Sequence, residues 1–478
     1  MALYHQLIDY GITHGLCTSL DALYLNNRLA HVLGVPCEPY EASPFEGDID
    51  AVCDALAQTQ ALAVGEADQF KALLLDFLTP LPSVLNERFW MWHEANPQHA
   101  TAQLYELMRL NTYIQEKAVS KNRHFDVASV YGNIHLTINL SKPEKDPKVI
   151  AALKDHVSTD YPLGMLVKEN MGYYGHLGYP ARSHHRIIPL TLNDEAFYLQ
   201  FSPYVYYEEH VIVFHHDFVP MDIGAKTWRR LFDFVDLFPH YFLGSNAGLP
   251  IVGGSILNHE HYQGGKARFP IESAQVKRSF THNDVLVERL FWPVSVMRLS
   301  GKQRQAVMDC AEALRLFYQD YSDPSVELIA HTDAPHNTIN PIVRKDNGRY
   351  VILIALRNNR TSAAYPDGIF HLHPDVYAIK KENIGLIEVM GLAILPPRHE
   401  AALHAMVQDE GDYAHKELYE SWAQSFDVPK PHTQENLLEG MGRTFVRGLE
   451  DVGVFKTNTT GEAAFDRFMD AFIASLES

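Results

Sequence analysis

Two histidines, His259 and His261, lie two positions apart in a stretch at 253–265 that begins and ends with paired glycines. If this stretch forms a β-strand, alternate side chains point to the same face. The side chains sharing that face would be Ser255, Leu257, His259, His261 and Gln263. Glycine weakens a strand but lets a ligand or another backbone come close, as at Gly253 and Gly254. The stretch therefore predicts a mostly polar, basic face suited to a phosphate group.

The His-x-His spacing is uninformative by itself. With 26 histidines among 478 residues, chance alone predicts about one such pair, and the chain has a second at His371 and His373. The first pair differs in its flanking glycines, in Gln263 on the same predicted face, and in the basic Lys266 and Arg268 that follow. These neighbours favour a functional role for the first pair and a structural role for the second.

Three chemistries are open to two imidazoles on one strand face. Both could bind a metal ion, but further ligands would have to come from distant pairs, at 184–185 or 215–216. One imidazole could act as a general base for a serine or a water molecule. Alternatively, an imidazole nitrogen could itself attack phosphorus, because neutral histidine is reactive near pH 7 and departs readily once protonated.

Composition and charge exclude several classes of protein. The chain holds 40 Lys and Arg against 59 Asp and Glu, and this net charge of −19 argues against generic binding to nucleic acid or anionic membranes. Its four cysteines include no Cys-x-x-Cys pair, so neither a thiolate zinc site nor a disulfide framework is expected. The N-terminus lacks the pattern of a secretory signal, and the longest apolar run, 384–395, is too short to span a bilayer. We therefore expect a cytoplasmic globular protein.

Residues 1–270 divide into a helical region and a strand-rich region. Residues 1–125 show apolar residues at helical spacing, which predicts a helical N-terminal region. Residues 126–270 alternate in the manner of β-strands and contain one amphipathic helix, predicted at 224–238. The predicted strands of this region are 130–140, 186–192, 196–201 and 210–214. This order predicts an antiparallel sheet with a covering helix in an α+β fold, with the strand that carries His259 and His261 at its end.

Residues 271–478 have a similar texture and form the third predicted region, a second sheet half with C-terminal helices. Its predicted elements are a helix at 304–321, strands at 326–331, 339–344 and 350–356, and helices from Pro397 onward. The sequence Asp346-Asn347-Gly348 predicts a tight hairpin. Two halves of comparable build suggest an ancient duplication, although no sequence repeat supports it.

Several motifs resemble those of a known family. The run Gly-Gly-Ser-Ile-Leu-Asn-His-Glu-His-Tyr-Gln-Gly-Gly at 253–265, preceded by Gly-Ser-Asn-Ala at 244–247, resembles the active-site region of galactose-1-phosphate uridylyltransferases, in their type 2 bacterial branch within the histidine-triad superfamily. Further resemblances lie at 111–114, 182–207, 210–214 and 335–341, so the similarity spans nearly the whole chain. The resemblance implies an α+β fold of two histidine-triad-like antiparallel sheet halves with covering helices, plus an N-terminal helical region.

The resemblance also implies a two-step exchange of a uridylyl group in galactose metabolism. His261, the second histidine of the motif, would attack the α-phosphorus of UDP-glucose, release glucose 1-phosphate, and then pass the uridylyl group to galactose 1-phosphate. Its other ring nitrogen is expected to donate to a carbonyl group, which fixes the tautomer. Gln263 stands where histidine-triad hydrolases carry a third histidine, and this neutral donor favours transfer over hydrolysis because it does not titrate near pH 7.

The same resemblance assigns residues and partners. The residues it implies for substrate binding are Asn246, Gly253, Gly254, Ser255 and His259. Asn246 would hold the nucleotide, and the serine and the glycine amides would contact phosphate. His259 would position the substrate or neutralise its charge and would not itself attack. The expected partners are UDP-glucose, UDP-galactose and hexose 1-phosphates, without nucleic acid or membrane, and the expected assembly is a homodimer.

One departure from the family concerns metal. Type 1 members carry a Cys-x-x-Cys that helps to bind zinc together with the first histidine of the pair, and this chain has no such cysteines. We expect no cofactor and no metal, and a site formed by His336, His371 and His373 is the open alternative. Two competing functions remain: a nucleotide hydrolase or phosphorylase of the same superfamily, and a non-enzymic histidine-rich metal-binding protein.

Overall fold

The fold is of the predicted α+β class and opens with the predicted helical region. The computed structural model describes residues 2–141, 161–254 and 256–477. Within these ranges the chain forms fourteen α-helices and thirteen β-strands. Seven helices precede every described strand: α1 (His5–Thr13), α2 (Ala22–Leu33), α3 (Ile49–Gln58), α4 (Ala67–Asp76), α5 (Pro82–Ala95), α6 (Pro97–Leu110) and α7 (Glu116–Val119).

The strands build one large and one small sheet. In chain order they are β1 (Arg123–Ser129), β2 (Gly132–Ile138), β3 (Ile188–Leu192), β4 (Glu195–Phe201), β5 (Val211–His215), β6 (Phe242–Gly244), β7 (His261–Gly265), β8 (Gln275–His282), β9 (Val285–Phe291), β10 (Val296–Gly301), β11 (Asn337–Asp346), β12 (Arg349–Asn358) and β13 (Leu392–Leu395). The small sheet has the order β1-β2-β13, with β13 parallel to β2.

The large sheet consists of two antiparallel five-stranded halves that meet edge to edge. Its order is β3-β4-β5-β7-β6-β11-β12-β10-β9-β8, and each neighbouring pair is antiparallel. The two predicted halves are thus confirmed, and β6 and β11 join them into one continuous sheet. The predicted division of the chain at 125 and 270 stays a prediction.

Two helices cover one face of the large sheet. In α8 (Ala225–Leu237), apolar side chains at helical spacing, such as Trp228 and Leu231, are buried in the main core. Helix α9 (Arg304–Asp320) covers the other half in the same way. Burial of each large apolar side chain contributes about 1.5–3 kcal/mol. Because Tyr262 of β7 belongs to this core, its neighbours His261 and Gln263 point to the opposite face.

The remaining helices follow the strands of the second half. They are α10 (Leu386–Val389), α11 (Arg398–Val407), α12 (Lys416–Ser425), α13 (Gln434–Val452) and α14 (Thr459–Glu477), which confirms the helical pattern predicted after Pro397. The start of α13 is fixed by a capping box, in which Thr433 and Asn436 bond each other's backbone N–H groups. No helix in the described ranges is long and apolar enough to cross a membrane.

Predictions from periodicity and turn chemistry agree closely with the structure at two helices and one hairpin, whereas the strand predicted at 326–331 is wrong. Helices α8 and α9 lie within a residue of their predicted limits, and the hairpin turns at Asn347 and Gly348 with φ of 48° and 72°, as a type I′ turn requires. Residues 326–331 form no strand, because a short 3₁₀ helix ends at Val326 and the following residues make only isolated bridges.

Candidate active site

His261 is the first residue of β7, which lies between β5 and β6. In the pairing of β7 with β5, His261 lies opposite Phe214, and in the pairing of β7 with β6, Gln263 lies opposite Gly244. Residues 253, 254 and 256–260 precede the strand as irregular backbone, so the predicted strand at 253–263 is wrong over most of its length. Among the described side chains that were predicted to share a face, those of His261 and Gln263 do so by strand geometry.

The imidazole of His261 has a defined tautomer. Its Nδ1 lies 2.9 Å from the backbone carbonyl oxygen of His259. Because a carbonyl only accepts hydrogen bonds, Nδ1 carries the proton and Nε2 keeps its lone pair. The predicted donation to a carbonyl is therefore confirmed. The ring presents one unprotonated nitrogen as a base or nucleophile.

The surroundings keep His261 neutral. The ring is buried, and Phe214 opposite it packs with Leu166 and Ile187 in an apolar cluster. Burial lowers the pKa of His261 below its ordinary value, and the hydrogen bond to the His259 carbonyl opposes this in part. A lowered pKa keeps the reactive neutral form present through the physiological pH range.

His259 contributes through its backbone and its packing. Its side chain is 1% exposed and stacks on Phe218, with ring centroids 4.9 Å apart. Burial, followed by the neighbouring His261 and His215, lowers the pKa of His259 to about 4. The ring is therefore uncharged at pH 7, which supports the positioning role expected for it and not the neutralising one.

Gln263 is oriented by a residue that the sequence analysis left without a role. Its Oε1 lies 3.2 Å from Nε2 of His210, a buried histidine immediately before β5. Burial lowers the pKa of His210 to about 4, so the ring is neutral. When His210 donates to Oε1, the amide NH₂ group of Gln263 remains available as a donor. The placement of His210, the first residue of the strand predicted at 210–214, was the available signal.

Asn246 connects the two halves of the protein. Its Oδ1 accepts the backbone N–H of Leu386 at 2.9 Å, at the start of α10. Its Nδ2 lies so close to Gly254 that a Cβ added there would be 2.5 Å away. At Gly253, an added Cβ would lie 2.3 Å from the carbonyl oxygen of Ala247. Both glycines thus permit close packing of the loop on itself, while Ser255 lies outside the described residues.

A buried arginine holds the segment that contacts Asn246. Arg357 donates from Nη1 to Oδ1 of Asn340 at 2.8 Å and to the carbonyl of Ile384 at 3.1 Å. Asn340 in turn donates to the carbonyl of Ser245 at 3.1 Å. Burial lowers the pKa of Arg357 to about 10, so it stays charged at pH 7. Strands β11 and β12 therefore fix the position of the loop that precedes β7.

A second buried arginine lies towards the same sheet face. Arg182 stacks over Tyr113 at 5.5 Å and forms no ion pair in the described ranges. The nearby His185 contacts Oε1 of Gln200 at 3.0 Å. Gln200 and Gln263 flank the same residue of β5, about 10 Å apart by strand spacing. Sequence analysis placed Arg182 only within a run of family resemblance.

The histidines considered for a metal site have separate partners. His336 lies between Thr332 and Asn359, His371 contacts Asn383, and His373 faces Asp451. In the part of the chain that the structure describes, no three His, Cys, Asp or Glu side chains form a group that could hold a metal ion. The alternative site at these three histidines is therefore not assembled.

Comparison with known proteins matches nearly the whole chain to one family. Family models described as galactose-1-phosphate uridyl transferase, N-terminal and C-terminal domains, match residues 44–220 and 234–418. The galactose-1-phosphate uridylyltransferase of Streptococcus mutans is 45% identical over 98% of this chain and 99% of its own. That of Lactiplantibacillus plantarum is 43% identical over 95% of this chain and 96% of its own. A crystal structure of yeast Ap4A phosphorylase Apa2 covers 65% of this chain and 92% of its own, with 13% identity and a TM-score of 0.34. The extent and identity of the first matches show that the chain belongs to the galactose-1-phosphate uridylyltransferase family.

Proposed function

We propose that this protein exchanges UMP between UDP-glucose and galactose 1-phosphate through a uridylyl group carried on His261. The observation that carries the assignment is the hydrogen bond from Nδ1 of His261 to the His259 carbonyl. It leaves Nε2 as the nucleophile in a site where burial lowers the pKa of the ring. Membership of the family supports the substrates.

The reaction takes two displacements at the same phosphorus. Nε2 of His261 forms a bond to the α-phosphorus of UDP-glucose, and the bond from that phosphorus to the bridging oxygen breaks. Glucose 1-phosphate leaves with the electron pair. A phosphate oxygen of galactose 1-phosphate then attacks the same phosphorus, displaces the imidazole and forms UDP-galactose. A covalent intermediate lets two similar sugar phosphates use one pocket in turn.

Gln263 favours transfer over the hydrolase or phosphorylase alternative. Its amide remains neutral throughout the pH range, and it can donate to a phosphoryl oxygen of the intermediate. The bond to His210 supports this assignment because it directs the Gln263 carbonyl oxygen away from that task. Asn246, Gly253, Gly254 and Ser255 remain the residues proposed to bind substrate, with His259 as a positioning residue.

The remaining proposals concern assembly and location. We expect a homodimer that works in the cytoplasm, in galactose metabolism and without nucleic acid, membrane, cofactor or metal as a partner. Sedimentation of the purified chain measures the assembly directly. A monomer would contradict the first of these expectations.

Incubation with UDP-glucose alone tests the nucleophile. Intact-mass spectrometry should show a mass increase of one uridylyl group together with released glucose 1-phosphate. The adduct should be absent in His261→Asn and present in the matched control His373→Asn, from the second His-x-His pair. Release of UMP without an adduct would favour the hydrolase. Stoichiometric metal that is lost in His261→Asn would favour a metal-binding protein.

A further inference from the structure

The two halves of the large sheet are related by an approximate two-fold axis. Starting from the centre, the strand order is β6-β7-β5-β4-β3 in one direction and β11-β12-β10-β9-β8 in the other. The central pair is Leu243 with Val343, and the registers on either side of it are symmetrical. A half-turn about an axis through this pair, perpendicular to the sheet, therefore places β7 on β12. The two faces of the sheet are not exchanged by this rotation.

The rotation gives the His261 site a counterpart in the second half. Gly264 pairs with the central residue of β6, and Ile352 pairs with that of β11. His261 lies three residues before Gly264, and Arg349 lies three residues before Ile352. The two residues therefore occupy equivalent positions in the two halves. The long irregular segment before β7 corresponds to the two-residue turn before β12, so this end of the second half has no covering loop of its own.

A cavity of about 330 Å³ lies at this counterpart position. Its floor is apolar and includes Leu286, Ile342, Val351 and Leu353. This volume is at the lower end of the range for small-molecule sites, and such sites combine an apolar lining with a few polar groups. The cavity thus has the size and floor for a small organic molecule.

Four arginines and three carboxylates line the rim of the cavity. They are Arg268, Arg298, Arg344, Arg349, Glu272, Glu288 and Asp346. Each carboxylate is already bonded: Glu272 to Arg268 and Arg344, Glu288 to Arg298 at 2.7 Å, and Asp346 to Arg268 at 2.6 Å. The rim therefore has one positive charge in excess.

That excess charge lies on Arg349. Its Nη2 donates to the carbonyl of Ser300 at 3.0 Å and to Oγ of Ser300 at 3.3 Å. In the described part of the chain Arg349 forms no ion pair, and its Nε and Nη1 donors are not used. A guanidinium with free N–H groups binds carboxylate or phosphate oxygens, in pairs where the geometry permits.

We propose that this cavity is a second ligand site, separate from the His261 site, for a small organic anion. Arg349 binds a phosphate or carboxylate group, and an apolar or aromatic body packs against Leu286, Val351 and Leu353. The site goes beyond the uridylyl exchange, because it shares no residue with the exchange machinery.

Calorimetric titration with phenyl phosphate tests the site. A parallel titration with benzoate tests whether a carboxylate can replace the phosphate, and one with inorganic phosphate tests whether the apolar part of the ligand is needed. We expect one phenyl phosphate per chain, bound at least tenfold more weakly by Arg349→Gln. Ser300→Asp, which supplies Arg349 with an internal carboxylate, should weaken binding similarly. The matched control Arg229→Gln removes an exposed arginine on α8 and should leave binding unchanged.

Four outcomes would overturn the proposal. They are the absence of binding, binding that Arg349→Gln and Ser300→Asp leave intact, binding lost instead in His261→Leu, and equal affinity for inorganic phosphate. If benzoate binds and depends on Arg349, the ligand class includes carboxylates. Thermal unfolding of each variant confirms that the fold is retained.

Discussion

Replacing His210 with phenylalanine should slow formation of the uridylyl adduct without abolishing it. The substitution removes the donor 3.2 Å from Oε1 of Gln263, so the carboxamide of Gln263 can rotate. The aromatic ring keeps the packing against Tyr206 and Tyr207, whose centroids lie 5.5 and 4.5 Å from His210. The fold should therefore be retained while the orientation of the amide is lost.

The size of the effect follows from the hydrogen bond that Gln263 makes to the reacting phosphoryl group. A hydrogen bond to a charged oxygen contributes about 1.5–3 kcal/mol, and partial to full loss corresponds to about 10- to 100-fold in rate. His210→Gln restores a donor and should recover most of the rate. Because His210 has a pKa of about 4, His210→Gln should also leave the pH profile above pH 6 unchanged.

Quenched-flow mixing with UDP-glucose, followed by intact-mass analysis, measures the rate of the first half-reaction. If His210 acts only through Gln263, then His210→Phe should add little to the loss already caused by Gln263→Ala, whereas independent effects would multiply. A His210→Phe rate within twofold of the unmodified protein, or fully multiplicative effects, would refute the positioning role.

Three further outcomes follow from the structure. The neutral ring of His261 is the reactive form, and its pKa is lowered by burial. The rate of adduct formation, measured in a series of buffers, should therefore begin to fall only below the ordinary histidine pKa of 6.5. Burial lowers the pKa of His399 to about 3, so between about pH 6.5 and pH 3 this histidine is protonated in the unfolded chain but not in the folded one. The free energy of unfolding should therefore fall as the pH is lowered through this range, by up to about 1.4 kcal/mol per pH unit from this group. Urea unfolding should show that slope reduced in His399→Leu, and an unchanged slope would contradict the linkage. Arg357→Met leaves Asn340 and a buried carbonyl without a donor and should lower the free energy of unfolding by about 2–3 kcal/mol, while an effect below 0.5 kcal/mol would show that Arg357 does not hold the loop.

The parts of the fold that could be predicted are those fixed by nearby residues. The apolar periodicity of α8 and α9 and the Asn347-Gly348 turn depend on sequence neighbours alone. Strand β9 lacks such a pattern because Glu288 and Arg289 are buried in it, and their partners Arg298 and Glu462 lie elsewhere in the chain. Charged residues in a buried strand give no local signal.

The candidate site shows the same division. The chemistry expected of His261 was accessible from the motif, and the hydrogen bond that sets its tautomer comes from a residue two positions away. The irregular path of the loop before β7 was not accessible, because it depends on distant partners: Asn246 with Leu386, and Glu260 with Val219 and its neighbours. Alternation of residue types cannot distinguish a strand from a loop whose backbone groups bond remote segments.

The carbonyl of His259 has a consequence for how the His-x-His motif tolerates change. The atom that fixes the tautomer of His261 belongs to the main chain, and every amino acid possesses it. The side chain at position 259 stacks on Phe218 and is uncharged at pH 7 because burial lowers its pKa to about 4. The motif contains two histidines, but the groups that set the reactive nitrogen are the imidazole of His261 and the backbone carbonyl of His259. Variation at 259 should therefore alter packing and local stability before it alters which nitrogen of His261 reacts.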